Sequence, residues 1–358
     1  MRIVYVANSL AHKRVLEPFK KHQDLDQIIV APRPQITSNF VPEDYKDCGI
    51  QNIHAFNNIS EIQSIVDSLN PHIIGQTGTF GITSKAKKVY IGHGMIGRHV
   101  KSRGKSKGWR GFDLYCGASY IFKDYITYAA DINPDKILIN ALPQFDLLYN
   151  PDYYNLYRKK FISSFGDASK IILFLGFCCK DRWDFNDHNE DYFKTAIELE
   201  KIARKNNYKV MIKARQQEGE IMGFAIKNNS ISKYIKDYRQ LKSSPYIHFI
   251  NTNSHIYRYY FADIIVGNGC TTGEVEACLM HKPLVLVRTK SDPKYDPFDS
   301  ATTGAATIVR NINNLEDALN KPANIEQQDK LIQSLGITND GQAHRRIQDK
   351  VVELWHTK

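Results

Sequence analysis

Short β-branched runs recur along the chain at intervals that leave room for a helix between them. That spacing is the pattern of βαβ units feeding a parallel sheet. One series comprises Arg2–Ala7, Gln27–Ala31, Asn52–Phe56, His72–Gln76, Lys88–Gly92, Asp113–Gly117 and Lys136–Asn140, with helical patterns at Ala11–His22, Ser60–Leu69 and Ser119–Ala130. A second comprises Lys170–Leu175, Lys209–Ala214, Tyr246–Asn251, Asp263–Gly267 and Leu284–Arg288, with helices predicted near Asn189–Asn206 and Thr272–His281. The fold class expected is therefore α/β, with two facing Rossmann-like domains. Pro151 and the turn residues Phe165–Ser169 place the join, which gives domains at 1–165 and 166–340. Ala343, Ile347, Val351 and Leu354 recur at near-helical spacing and predict a C-terminal helix within 341–358 that packs back on the first domain. Two open sheets would present their strand C-terminal ends to a shared cleft, where ligands bind in such folds.

Composition narrows the class rather than the function. At 358 residues, 42% hydrophobic and 24% charged, the chain is long enough for two domains and ordinary enough to exclude fibrous and disordered classes. No apolar run approaches the ~20 residues that a membrane span needs. The first residues, MRIVYVANSLAHKR, lack the long apolar region of a signal peptide and read as a cytoplasmic first strand. Six cysteines without a C-x-x-C pair read as reduced thiols. No zinc-like Cys/His spacing, H-E-x-x-H or G-x-S-x-G occurs, and no cofactor is expected. The formal charge of +10 favours an acidic partner: a nucleotide, a nucleic acid, a polyanionic polymer or an anionic membrane surface. Beyond that charge no nucleic-acid motif is present, and no nucleic-acid partner is expected.

Four stretches bear on chemistry. Tyr90–Gly97 is a strand that stops in Gly92-His93-Gly94, so one imidazole projects from a tight turn at a strand end. A histidine there can act as a general base, or can simply hydrogen-bond its own turn. Next, Arg98, Lys101, Arg103, Lys105, Lys107 and Arg110 put six cations into thirteen residues with Gly and Ser between them. This is either a basic loop that grips phosphate groups or an anionic membrane surface, or a solvated charge run. In the second half, Lys213 and Arg215 point to one side of an extended strand and together can hold a pyrophosphate, or lie on a plain surface strand. Finally, Ala262–Gly267 is a buried strand that runs through Gly269, Thr271 and Thr272 into a helix with Glu274 and Glu276 in its opening turns. Helix N-termini bind phosphate through unsatisfied amides and the dipole, so Thr271 and Thr272 are candidate phosphate ligands, and Glu276 can accept from ribose hydroxyls. The alternative is an N-cap with capping glutamates.

Four segments in matching order carry a resemblance to the CDP-glycerol glycerophosphotransferase family of teichoic-acid and capsule polyol-phosphate transferases. They are Val89–Met95, then Asp113–Tyr120 with Lys136–Leu148, then Asp263–Val287, then Asp340–Ile347. The third is similar to the family's Asp-Ile-x-Ile-Thr-Asp-Tyr-Ser-Ser block, and the last to its terminal Asp-Gly-x-Ala-x-x-Arg-Ile. The resemblance implies a GT-B fold and a nucleotide-activated donor, a CDP-polyol. It also implies no metal, while the basic run Arg98–Arg110 predicts an anionic polymeric or lipid-linked acceptor and peripheral attachment of a cytoplasmic protein to the inner face of the cell membrane. It implies His93 as the base, Thr271 and Thr272 as donor-phosphate ligands, and Glu276 at the family's Asp position. The chain departs from the pattern at Lys213 and Arg215, where a second functional His is expected. It departs again at Gly269 in place of the Asp before the hydroxyl pair, and at Ala141 and Gln144 in place of Gly and Arg. Gly273–Ala277, Lys282–Arg288 and Asp340–Ala343 also resemble the non-hydrolysing UDP-N-acetylglucosamine 2-epimerases, which share that fold, although the N-terminal Gly-Thr-Arg-Pro-Glu of those enzymes is missing. The expected function is transfer of glycerol phosphate or a similar polyol phosphate to a hydroxyl. An epimerase-like or other GT-B sugar-nucleotide enzyme is the alternative.

Overall fold

The structure is a computed structural model that describes residues 1–7, 15–32, 50, 52–78, 81–92, 109–149, 166, 168–176, 186–214, 232–250, 261–268, 271–290, 298 and 300–357. It divides into two compact units, residues 1–150 with 335–358 and residues 151–334. The sequence places the join within residues 150–169, of which 150–165 and 167 lie outside the described residues.

The first unit is built on seven parallel strands: β1 (Arg2–Val6), β2 (Asp26–Pro32), β3 (Asn52–Phe56), β4 (Ile73–Gln76), β5 (Lys87–Ile91), β6 (Leu114–Cys116) and β7 (Ile137–Leu138). Their order is β3-β2-β1-β4-β5-β6-β7, with the reversal of direction between β1 and β4. Strands covered on both faces read as continuous apolar runs, and β1 shows why. Ile3 and Tyr5 face one core with Ile29, Ile73 and Val89, while Val4 and Val6 face another with Ile28, Val30 and Ile74. Helix α1 (Glu61–Leu69) covers the second face through Ile62 and Val66. Helix α2 (Tyr120–Ala130) seats Phe122 close to the backbone after β6, where a Cβ on Gly117 would lie 2.1 Å from that ring.

In the second unit six parallel strands take the order β10-β9-β8-β11-β12-β13. They are β8 (Lys170–Gly176), β9 (Tyr208–Ala214), β10 (Ile247–Phe249), β11 (Ile264–Gly267), β12 (Leu284–Val287) and β13 (Thr307–Val309). Helix α3 (Asn186–Asn206) buries Tyr192, Phe193, Ala196, Leu199, Ile202 and Ala203 at helical spacing against Ile172, Phe174, Val210 and Val266. Its close approach needs Gly176, because a Cβ there would stand 2.1 Å from the Tyr192 ring. The short helix α4 (Ile235–Gln240) adds Tyr238, whose hydroxyl meets that of Tyr192 at 2.6 Å. Helix α5 (Thr272–Leu279) joins β11 to β12, and α6 (Leu315–Ala318) and α7 (Ile325–Ser334) complete the unit. Right-handed crossovers that leave β8 and β11 in opposite directions put α3 and α5 on opposite faces of the sheet.

The chain then returns to the first unit. Helix α8 (Ala343–His356) buries Ile347 and Val351 in the core that holds Ile3, Tyr5 and Val89, so the C-terminal helix packs back on the first unit. Asp146, in the 3-10 segment Pro143–Tyr149, holds its first turn. The carboxylate accepts from the backbone N–H of Ala343 at 2.9 Å and of His344 at 2.8 Å, and pairs with His344 Nδ1 at 2.7 Å. Arg346 donates to the Asn140 carbonyl at 2.8 Å and to Asp340 at 2.7 Å. Two segments that carry the resemblance, Lys136–Leu148 and Asp340–Ile347, therefore meet as a structural clamp. No helix among the described residues is long and apolar enough to cross a membrane.

Candidate functional site

Both sheets reverse strand order at their centres, and in such sheets ligands bind outside the strand carboxyl ends at that reversal. In the second unit the reversal lies between β8 and β11. Strand β11 is fully buried, and Asn268 after it is also buried. Thr271, in extended backbone, is the N-cap of α5. Its N–H donates to Glu274 Oε1 at 2.8 Å, closing a capping box. The other oxygen of Glu274 accepts from the Ser300 hydroxyl at 2.7 Å. Glu274 and Ser300 are both buried, so one carboxylate fastens the helix start to the segment that follows residues 291–297 in the chain.

Thr271 and Thr272 are half-buried and stand at this helix start, where the dipole favours negative charge. The Thr271 amide is already given to Glu274. In the same capping box the Thr271 side chain accepts from the Glu274 backbone N–H, so what remains for a ligand at that residue is the hydroxyl proton. Glu276 is fully buried within α5 and is not without a partner. The structure thus brings Thr271, Thr272 and Glu276 onto one helix but sets the glutamate beneath the surface.

Lys213 joins this group through register. It pairs with Leu175 of β8, which in turn pairs with Gly267 of β11, so Lys213 and Gly267 lie in one row across the sheet. At ~4.8 Å per strand the two backbones are roughly 10 Å apart. Ile212 and Val266 face the α3 core, so by alternation Lys213 is on the α5 face. Arg215 lies outside the described residues.

In the first unit β5 ends at Ile91 and Gly92, whose N–H donates to the Cys116 carbonyl at 2.9 Å. A Cβ on Gly92 would come within 3.1 Å of that same oxygen, so a residue without a side chain suits the position. Beside it, at the reversal between β1 and β4, stand the buried Gln76 and Thr77. Thr77 donates both its N–H and its hydroxyl to the Val6 carbonyl. His93, Arg98, Lys101, Arg103, Lys105 and Lys107 lie outside the described residues. Arg110 is exposed, with its Nε 3.4 Å from the Ala130 carbonyl. Among the described residues no three His, Cys, Asp or Glu side chains group as metal ligands.

Sequence reasoning missed a second charged group in the second unit. Glu190, one turn into α3, accepts from the Tyr234 hydroxyl at 2.9 Å and pairs with Lys194 at 3.1 Å, Lys233 at 3.6 Å and, more closely, Lys290. Burial alone would raise its carboxyl pKa, but hydrogen bonds from Lys290, Lys194 and Tyr234 outweigh burial and hold it at about 2. The one local trace of this group is the i,i+4 spacing of Glu190 and Lys194. Lys233 and Lys290 arrive from distant parts of the chain.

No protein-family model and no curated protein matches the chain. Solved structures do. The UDP-GlcNAc 2-epimerase from Neisseria meningitidis, bound to UDP-GlcNAc, is 14% identical with a TM-score of 0.63, covering 99% of this chain and 100% of its own. The UDP-GlcNAc 2-epimerase from Methanocaldococcus jannaschii is 12% identical with a TM-score of 0.63 over the same shares. The wall teichoic acid polymerase TagF is 11% identical with a TM-score of 0.69, covering 99% of this chain and 89% of its own. Likeness at these identities establishes the fold, two parallel α/β units of the GT-B type.

Proposed function

We propose that the chain is a GT-B transferase that moves glycerol phosphate, or a similar polyol phosphate, from a CDP-activated donor to a hydroxyl of an anionic polymeric or lipid-linked acceptor. The observation that carries this reading is the second unit's carboxyl edge. Lys213 lies in one strand row with Gly267, the end of the strand that leads to the capped helix start at Thr271 and Thr272, beside the reversal of the sheet. A positive dipole end and an ammonium on one face suit the two phosphates of a nucleoside diphosphate ester. The likeness to TagF, at a TM-score above those of the two epimerases, supports the polyol-phosphate form of the reading.

In this mechanism His93, just beyond β5 in sequence, removes the acceptor hydroxyl's proton as that oxygen attacks the phosphorus bearing the polyol. The bond from that phosphorus to the bridging oxygen breaks, and cytidine monophosphate leaves with the bond's electrons. Lys213, Arg215 and the helix start meet the charge that develops on the phosphoryl oxygens, so no metal is required. Glu276, which the sequence offers for ribose or polyol hydroxyls, is buried within α5 and takes no part in this mechanism. The cations Arg98, Lys101, Arg103, Lys105, Lys107 and Arg110 meet the acceptor or an anionic membrane surface on the cytoplasmic side.

Melting curves with CDP, CMP, UDP and UDP-GlcNAc test the reading. A ligand at a hundredfold excess over its Kd adds ~2.7 kcal/mol of stability, a readily measured shift. Stabilisation by cytidine nucleotides is expected, with transfer that persists in EDTA. Indifference to every nucleotide overturns the reading. Stabilisation by UDP-GlcNAc alone favours the epimerase-like alternative, which the full-length coverage of the epimerase structures supports.

A further inference from the structure

The charge around Glu190 is layered. Its carboxylate is 6% exposed, while the lysines grouped on it are 25% (Lys194), 62% (Lys233) and 45% (Lys290) exposed. The Asp191 carboxylate beside it is also buried and is held by the N–H and hydroxyl of Thr289, at 2.9 and 2.5 Å. Tyr234 adds a phenol that burial and Glu190 keep protonated and that donates inward to the same oxygen. Among the described residues three ammoniums thus gather on one carboxylate with a second carboxylate beside it, and each ammonium is more exposed than the carboxylate it meets. A structural ion pair needs one lysine. Three on one carboxylate repel each other, and an outside anion relieves that repulsion.

The place in the fold matters as much as the charge. Glu190 lies in the opening turns of α3, the helix that follows β8, and Lys290 lies just past the end of β12, so both stand at the carboxyl edge of the sheet. They are on the α3 side, opposite the face that carries Lys213 and α5. We propose that Lys194, Lys233 and Lys290, gathered by Glu190, form a second phosphoryl-binding seat of this unit, separate from the helix start at Thr271. Lysine suits this role as a mobile point charge that follows a phosphate through several orientations. The ligand class is a phosphate ester or diphosphate, and its source is either the distal part of a nucleotide donor or a phosphate of a polyol-phosphate acceptor. The seat does not depend on the transferase reading, because it rests on the charge arrangement alone.

The experiment is calorimetric titration of the full chain with inorganic pyrophosphate, CDP and glycerol 3-phosphate, comparing wild type with the Lys233→Gln/Lys290→Gln double variant. Circular dichroism checks that the variant is folded. If it is not, Lys233→Gln alone replaces it, since that side chain is the most exposed and the most loosely paired of the three. Pyrophosphate binding about tenfold weaker in the variant is expected, the scale of one lost charge-assisted hydrogen bond at a partly exposed site. A parallel loss for CDP assigns the seat to the donor. A loss for glycerol 3-phosphate with CDP unchanged assigns it to the acceptor. Equal pyrophosphate affinity in wild type and a folded variant overturns the seat, as does a wild type that binds none of the three probes. CDP binding that ignores the lysines removes this seat and leaves the transferase reading standing. Lysine-dependent pyrophosphate binding without any nucleotide binding does the reverse.

Discussion

The two sheets share one winding, each stepping outward from its first strand in one direction and then in the other, yet their described carboxyl edges differ in chemistry. At the reversal in the first unit stand neutral, buried Gln76 and Thr77, with Thr77 turned onto the backbone of β1. At the corresponding edge of the second unit stand Lys213, the Glu274–Ser300 pair with its capped helix, and the lysines around Glu190. Among the described residues one topology thus carries an uncharged edge and a charged one. Under the proposed function the anionic donor belongs to the charged edge of the second unit, and His93 and the acceptor belong to the first.

The largest effect that sharpens this contrast is expected at His93. His93→Ala should lower kcat by 10²–10⁴-fold, the usual scale for losing a general base, while nucleotide affinity by titration stays at wild type. A fall in nucleotide affinity instead would break the division of labour. Next is the clamp that closes the first unit. Asp146→Ala removes three bonds at the start of α8 and should cost about 2 kcal/mol, seen as a melting temperature about 4–8 °C lower. Nucleotide-induced stabilisation should survive, because the clamp belongs to the first unit alone.

A smaller effect is expected at the charged edge. Glu274→Ala frees the Thr271 amide and leaves the buried Ser300 hydroxyl without its acceptor, a loss of about 1–2 kcal/mol. Glu274→Gln keeps an acceptor oxygen for the Thr271 amide and should recover most of it, as paired melting curves would show. Unlike Asp146→Ala, Glu274→Ala should also weaken nucleotide binding. The smallest is a pH effect at Glu190. Its folded pKa of about 2 lies below the ordinary 4.5, so its stabilisation is fully present above that ordinary value and is lost as pH falls toward 2. Acid titration of stability should therefore be flatter in Glu190→Gln than in wild type. Identical slopes would show that the lysines do not hold the carboxylate in its charged form.

Strands were the most legible part of this chain. Each β-branched run became a strand within a residue or two of its expected bounds, because a strand covered on both faces needs uninterrupted apolar side chains. The exception is β13, three residues at the sheet's edge with two of them half-buried, too short and too exposed to leave a run. Helix α7 escaped as well. It buries Gln328 beside Leu331 and Ile332, and a glutamine on the inner face hides the periodicity. At the site, Thr271 and Thr272 were readable because a strand, small residues and a helix start follow one another in sequence. The capping role of Glu274 stood among the alternatives, and the geometry bears it out. Of the lysines around Glu190 only Lys194, at i,i+4 spacing, left a trace in the sequence. In a sequence the other two are ordinary solvated lysines, and only the pairing of strands far apart in the chain brings Lys290 to α3.

The second unit is an insertion within the first, since the chain leaves at residue 150 and returns at residue 335. During synthesis the ribosome delivers Ile347 and Val351 after residues 151–334, so the face of the first sheet that they cover stays open until the whole second unit has emerged. At ~5–20 residues per second the nascent first unit waits on the order of ten seconds or more for its own closing helix. The second unit, continuous in the chain, is free to fold during that interval. Chaperone demand in a cell should therefore fall on the waiting apolar face around Ile3, Tyr5 and Val89.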